Sequence, residues 1–127
     1  MIRLYMTWIV DFHPDFLTEA EEFSREVKMA LQVEIEILEA IGPQLGRPQV
    51  DTLKASMFGN MKELRFTADE GVWRVAFAFD PERTAIVLVG GDKKGKNQKK
   101  FYEKLMKTAD KRYQQHLDGL KAKEKKR

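Results

Sequence analysis

Three segments of strand length follow one another in the second half of the chain and are separated only by short turns. They cover roughly Met61–Thr67, Val72–Asp80 and Ala85–Gly90, and each joint between them is four residues long. Apolar and polar residues alternate along these segments, which is typical of strands with one face in a core. Joints this short predict two consecutive hairpins and therefore a largely antiparallel sheet.

One strand and two helices are predicted before the hairpins. The segment Met6–Phe12 alternates as a strand does, and Pro14 is suited to the first turn of a short helix. Ser24 predicts the N-cap of a longer helix that runs to about Ile41, where Gly42 ends it.

A polar loop is predicted over residues 44–60, and a last, lysine-rich helix begins near Asn97. The expected order is therefore β-α-α-β-β-β-α in an α+β fold, with the helices on one face of a mostly antiparallel sheet. We expect residues 1–127 to form a single domain, in which residues 118–127 are a basic tail that frays.

Charge is divided unevenly along the chain. Residues 1–91 hold nine Lys and Arg against fifteen Asp and Glu, whereas residues 92–127 hold fourteen against five. The two parts therefore carry net charges of −6 and +9, and the whole chain carries +3. A basic end of this kind fits either contact with a polyanion or an acidic partner, or a solvated lysine-rich helix.

Several classes of protein are excluded or disfavoured. The chain has no cysteine, which excludes disulfides, thiolate metal ligands and cysteine nucleophiles. No run approaches the roughly 20 apolar residues of a membrane span, and the first residues do not resemble a secretory signal. His13 and His116 lack metal-ligand spacing, and His116 is expected to be exposed. We expect a cytoplasmic protein without a metal, a cofactor or a membrane partner.

Two arginines on neighbouring strands are the strongest candidate functional residues. If the first hairpin closes around Thr67 and Val72, Arg65 lies directly across from Arg74, with Cβ atoms about 5 Å apart. Like charges at this distance are unfavourable unless an anion lies between them. Either Glu63, one pleat away, is that anion, or the two guanidiniums form a seat for a phosphate group.

A glycine- and lysine-rich segment, Gly90–Lys96, follows the last strand. It extends the positive surface from the two arginines toward the final helix, as expected of a protein that binds an RNA backbone. The candidate RNA-binding residues are Lys54, Lys62, Lys94, Lys96, Lys99 and Lys100.

The order and spacing of these motifs resemble the phage-associated HigB (Gp49-like) branch of the RelE/ParE toxins. The matching pieces, between Trp8 and Leu117, are Phe12–Phe16, Gly42–Pro48, Asp51–Lys54, Met61–Arg65, Trp73–Pro81, Gly91–Lys93 and Phe101–Tyr102. The resemblance implies a toxin that inhibits translation as a metal-independent, ribosome-dependent mRNA endoribonuclease, in which a ribose 2′-hydroxyl attacks the adjacent phosphate. It also implies the ribosome, mRNA and a helix-turn-helix antitoxin (HigA-like) as partners, the last in a hetero-oligomer.

The resemblance also implies roles for individual residues. Arg74 falls where the family has its sheet arginine, which implies that it stabilises the transition state. Arg65, on the neighbouring strand, is implied to bind the same reacting phosphate. Lys93 or Lys94 falls where a basic residue follows the last strand, with Lys93 taken as the catalytic candidate, and Tyr102 supplies an aromatic hydroxyl. Glu63 is proposed as the general base, with a pKa that the two guanidiniums are expected to lower.

Two other functions remain open from the sequence. The RelE/ParE superfamily also contains ParE-like gyrase inhibitors that are not nucleases, so the fold alone does not decide the activity. A non-catalytic module that binds RNA or protein through its basic last helix is the other alternative.

Overall fold

The computed structural model describes residues 7–125, and Met6 of the predicted first strand lies outside them. Its elements are β1 (Ile9–Phe12), α1 (Pro14–Ala20), α2 (Arg25–Ile41), a 3₁₀ turn (Gly42–Gln44), β2 (Val50–Thr52), β3 (Met61–Ala68), β4 (Gly71–Phe79), β5 (Thr84–Asp92) and α3 (Gln98–Lys125). The predicted α+β class and element order are confirmed. The difference is β2, which lies within the predicted loop, because three residues are too few to show an alternating pattern.

The strands form one sheet in the order β1-β5-β4-β3-β2. The three sequential pairs from β2 to β5 are antiparallel, whereas β1 pairs in parallel with β5. In the first hairpin Thr67 pairs with Val72 and Arg65 with Arg74, so the predicted register is confirmed. The sheet therefore places the two arginines directly across from each other.

Local signals in the sequence fix where the helices begin and end. The hydroxyl of Ser24 accepts a hydrogen bond from the Val27 N–H at 3.2 Å and caps α2, as predicted. Asn97 caps α3 in the same way, because its side-chain oxygen accepts from the Lys100 N–H at 3.0 Å. Gly42 ends α2 with a φ of +75°.

Helices cover both faces of the sheet, which corrects the expectation that they lie on one face. Helices α1 and α2 pack on the face that carries Leu64, Val75 and Phe77. Helix α3 packs on the other face, against Ala76 and Ala78. These alanines are the reason for the difference, because small side chains leave room for a helix to lie against the strand.

Polar contacts along its length hold α3 in place. Arg112 donates to the Leu88 carbonyl at 2.8 Å and forms an ion pair with Glu19 of α1. His116 is largely buried rather than exposed, and it lies 2.7 Å from the buried carboxylate of Asp80. The helix continues through Lys125, so residues 118–125, expected to fray, are helical in the structure. No helix within residues 7–125 combines the length and apolar character needed to cross a bilayer.

Replacing Gly42 tests how α2 ends. Its φ of +75° is disfavoured for residues with a Cβ, and the Trp8 indole occupies the space that a Cβ would need. Gly42→Ala should therefore lower the free energy of unfolding by about 1–3 kcal/mol, measured by urea denaturation. In the control, Gly46→Ala, no atom lies within 4 Å of the added Cβ. Equal losses in the two variants would contradict this account.

Candidate active site

The candidate site lies on the α3 face of the sheet, where β3 and β4 extend beyond the small alanines. Strand alternation places Glu63 and Arg65 on the same face as Met61, and Arg74 on the same face as Ala76. Glu63 is 4% exposed and Arg74 is 7% exposed. Two oppositely charged groups are therefore buried side by side at this end of the sheet.

Glu63 lies between the two guanidiniums. Its Oε2 is 3.2 Å from Arg65 Nη1, and its Oε1 is 3.8 Å from Arg74 Nε. Glu63 therefore acts as the internal counterion that the facing arginines require. Among residues 7–125, no donor meets the usual distance and angle for a hydrogen bond to Oε1, although the Tyr102 hydroxyl lies near enough to lower the pKa of this carboxyl. This buried oxygen is a proton acceptor without a full complement of donors.

A second carboxylate, Asp51, contacts the same cluster and was not identified from the sequence. Its Oδ2 lies 3.6 Å from Arg65 Nη1 and 2.8 Å from Arg47 Nη1. Asp51 reaches this position because β2 pairs with β3 and places it opposite Glu63. A strand of three residues is too short to show an alternating pattern, so neither β2 nor this contact could be predicted from the sequence.

Burial raises the pKa of Glu63 above its ordinary value, which corrects the expectation of a lowered pKa. The cost of removing the carboxylate from water exceeds the opposing effects of the Tyr102 hydroxyl and of the Arg74 and Arg65 guanidiniums. The positions of Glu63, Arg65 and Arg74 were correctly predicted from the sequence. The burial of Glu63, however, depends on the packing of α3, which was expected on the other face of the sheet.

Tyr102 and Lys93 complete the cluster from the α3 side. The Tyr102 hydroxyl accepts a hydrogen bond from Arg74 Nε at 3.1 Å, and Lys93 Nζ lies 5.8 Å from the centre of the tyrosine ring. Burial and the nearby Glu63 carboxylate raise the pKa of Tyr102, which stays a phenol at neutral pH. Burial, together with the positive charges of Arg74 and Arg65, lowers the pKa of Lys93. All five predicted catalytic residues are thus brought together.

The six candidate RNA-binding lysines lie in three separate places. Four of them, Lys94, Lys96, Lys99 and Lys100, are exposed in the turn after β5 and at the start of α3. Lys54 is exposed in the loop after β2. Lys62 lies away from the site, because strand alternation turns it to the opposite face, where Nζ donates to the Pro43 carbonyl at 3.2 Å. Across residues 7–125, no group of three or more His, Asp or Glu side chains is placed to hold a metal ion.

The raised pKa of Glu63 has a consequence for stability. The folded protein binds the Glu63 proton more tightly than the unfolded chain does, so this contribution to stability is present at low pH and lost as the pH rises through the raised pKa. Glu63→Gln cannot ionise, and its free energy of unfolding should therefore rise relative to the parent protein as the pH rises from about 4.5, the ordinary value, through the raised pKa of Glu63. Urea denaturation measures this difference.

The control for this measurement is Glu36→Gln, which removes the same charge from the exposed side of α2. A relative stability of Glu63→Gln that falls over the same pH range would contradict the raised pKa.

Comparisons with known proteins find a matching family and two relatives that are similar in sequence. Residues 18–114 match the family described as phage derived protein Gp49-like. Two Mycobacterium tuberculosis proteins designated candidate toxins are similar in sequence. HigB3 is 46% identical over 94 residues, which cover 74% of this chain and 80% of HigB3. HigB2 is 41% identical over 107 residues, which cover 81% of this chain and 53% of HigB2, about half its length.

The fold is also similar to that of a solved structure. An arginine-to-alanine double mutant of the Escherichia coli toxin RelE in the free state aligns with a TM-score of 0.61 and 15% identity, over 84% of this chain and 98% of RelE. At that identity the likeness concerns the fold alone. The match to the family and the identities to the two relatives establish that the chain belongs to the phage-derived Gp49-like family and is HigB-like.

Proposed function

We propose that this protein is the toxin of a toxin–antitoxin pair and acts in the cytoplasm as a metal-independent endoribonuclease on ribosome-bound mRNA. The observation that carries the proposal is the position of Glu63, a buried carboxylate with a raised pKa between Arg65 and Arg74. A perturbed acid–base group beside groups that bind phosphate is the arrangement expected of a site for phosphoryl transfer.

The two guanidiniums supply the positive charge that such a reaction needs. Attack on a phosphodiester places additional negative charge on the non-bridging oxygens in the transition state. Arg74 is held in place by the Tyr102 hydroxyl and by the Trp73 carbonyl, at 3.1 and 2.9 Å. An arginine that is already oriented requires little rearrangement when the charge develops, which favours the transition state over the substrate.

The remaining groups provide proton transfer in both directions. The Glu63 carboxylate accepts the proton of the ribose 2′-hydroxyl while the 2′-oxygen forms a bond to phosphorus. The bond from phosphorus to the 5′-oxygen breaks, and the Lys93 ammonium donates a proton to that leaving oxygen. The products are a 2′,3′-cyclic phosphate and a 5′-hydroxyl. A raised pKa makes Glu63 a stronger base, and a lowered pKa makes Lys93 a stronger acid.

Two partners belong to this proposal. The exposed lysines Lys94, Lys96, Lys99 and Lys100 lie beside the site, where they would contact the RNA backbone and the ribosome. The names of the HigB relatives support an antitoxin as the protein partner, and we propose a helix-turn-helix protein of the HigA kind in a hetero-oligomer with this chain.

Removing Arg74 tests the charge stabilisation. Arg74→Ala should reduce cleavage of mRNA in a reconstituted translation mixture by about 100-fold or more, measured by primer extension with and without ribosomes. Because Arg74 is buried beside Glu63, folding of the variant is checked by circular dichroism, and Arg74→Lys, which keeps the charge, should recover part of the activity. Arg25→Ala, at an exposed position, is the control.

Two outcomes would contradict the proposal. Cleavage that persists in a folded Arg74→Ala variant would exclude the assigned role. Growth arrest with double-strand DNA breaks and intact mRNA would instead favour gyrase inhibition.

The pH dependence of cleavage tests the assignment of base and acid. The profile of kcat/KM should be bell-shaped, with an acid limb at the raised pKa of Glu63 and an alkaline limb at the lowered pKa of Lys93. Lys93→Arg keeps the charge but does not release a proton in this range, so the rate should fall about 100-fold and the alkaline limb should disappear. Lys107→Arg, elsewhere on α3, controls for the substitution. An alkaline limb that survives in Lys93→Arg would contradict the assignment.

A further inference from the structure

Part of β5 has no neighbouring strand on its outer side. The first strand, β1, pairs with β5 only as far as Val87, so Leu88–Asp92 forms a free edge among the residues that the structure describes. The Leu88 carbonyl is occupied, because it accepts a hydrogen bond from Arg112 at 2.8 Å. The part of the edge that is available to a further strand therefore begins at Val89. The backbone N–H and C=O groups of such an edge are a template for a further strand.

A groove runs between this free edge and α3. It encloses about 470 Å³, and Val89, Gly90 and Gly91 line its strand side. Apolar groups of Phe101 and Leu105 line its helix side. A Cβ at Gly91 would lie 3.1 Å from the Phe101 ring, so the glycine allows the ring to lie against the strand. None of the five residues of the candidate active site lines this groove.

Lysines form the outer rim of the groove. Lys100 and Lys104 are one turn apart on α3, a rise of about 6 Å, and Lys96 lies where the segment from β5 approaches the helix. Within residues 7–125, none of the three lies within 4 Å of a carboxylate. Side chains on one face of an extended strand repeat at about 6.8 Å, a spacing that matches the two lysines on the helix.

We propose that this groove binds an extended, acidic segment of a partner protein, which adds as a strand beside Val89–Gly91 and directs alternate carboxylates at Lys100 and Lys104. The free edge and the apolar floor favour a peptide over RNA as the ligand of the groove itself, because a nucleic acid would use the lysines and leave the strand unpaired. Lys96 and Lys100, which the proposed function also assigns to the RNA backbone, would then serve one ligand at a time. Identifying the segment as part of the antitoxin rests on the proposed function, whereas the binding chemistry does not.

The test uses the full chain and a synthetic peptide, acetyl-(Glu-Val)4-amide, with binding followed by amide chemical shifts in NMR spectra. Shifts are expected at Val89–Gly91 and along the rim from Lys96 to Lys104. Two matched peptides separate the contributions. The corresponding (Lys-Val)4 peptide reverses the charge, and an analogue of (Glu-Val)4 with alternate amides N-methylated keeps the charge but cannot pair as a strand. Each should bind at least about tenfold more weakly, a difference of about 1.4 kcal/mol.

Matched variants of the protein test the rim. The double variant Lys100→Gln with Lys104→Gln should weaken binding at least about tenfold. Lys107→Gln with Lys111→Gln has the same spacing on α3 and the same change in charge, but neither residue lines the groove, so binding should stay within about twofold. These measurements do not involve cleavage, so they stand or fall separately from the ribonuclease proposal.

Three results would overturn the inference. Equal binding of the N-methylated peptide would show attraction by charge without strand addition. An absence of peptide-induced shifts would show that the groove does not bind such a segment, and that the lysines only protect the edge of the sheet from pairing with other strands. An RNA octanucleotide that shifts Val89–Gly91 where the peptide does not would identify the groove as a nucleic-acid site.

Discussion

The site depends on one buried carboxylate placed between two arginines. The hairpin register sets Arg65 across from Arg74, and this arrangement requires an anion nearby. Glu63 supplies it at 3.2 and 3.8 Å, but its own burial raises its pKa and leaves one oxygen without a hydrogen bond. Burial of such a group is costly unless it is fully paired, and a perturbed acid–base group of this kind is the feature on which the proposed function rests.

The second core, between the sheet and α3, creates the conditions for that chemistry. Ala76 and Ala78 allow α3 to lie against β4, and the packed helix places Tyr102 beside Arg74. The same packing removes water from Glu63, which changes the direction of its pKa shift. The electrostatic properties of the site therefore follow from where a helix packs, and not only from which charged residues are present.

This dependence explains what could be predicted from the sequence. Strand alternation and short turns gave the register of β3 and β4, and with it the facing arginines. The position of α3 could not be derived in this way, because alanines on a strand are compatible with either a solvated or a covered face. Asp51 could not be predicted either, because its strand has three residues and pairs over a long separation in sequence. Burial and contacts distant in sequence are the properties that a local pattern does not contain.

The candidate site and the groove share one strand and one helix, although none of the five candidate catalytic residues lines the groove. Gly91 pairs with Arg74 across the sheet and lies against the Phe101 ring. Phe101 in turn packs at right angles to Tyr102, with ring centres 5.3 Å apart, and Tyr102 accepts the hydrogen bond that orients Arg74. A segment bound in the groove would contact Phe101, whose ring lies against the tyrosine that orients Arg74. A partner bound there would therefore have a physical route to alter the arginine without covering it.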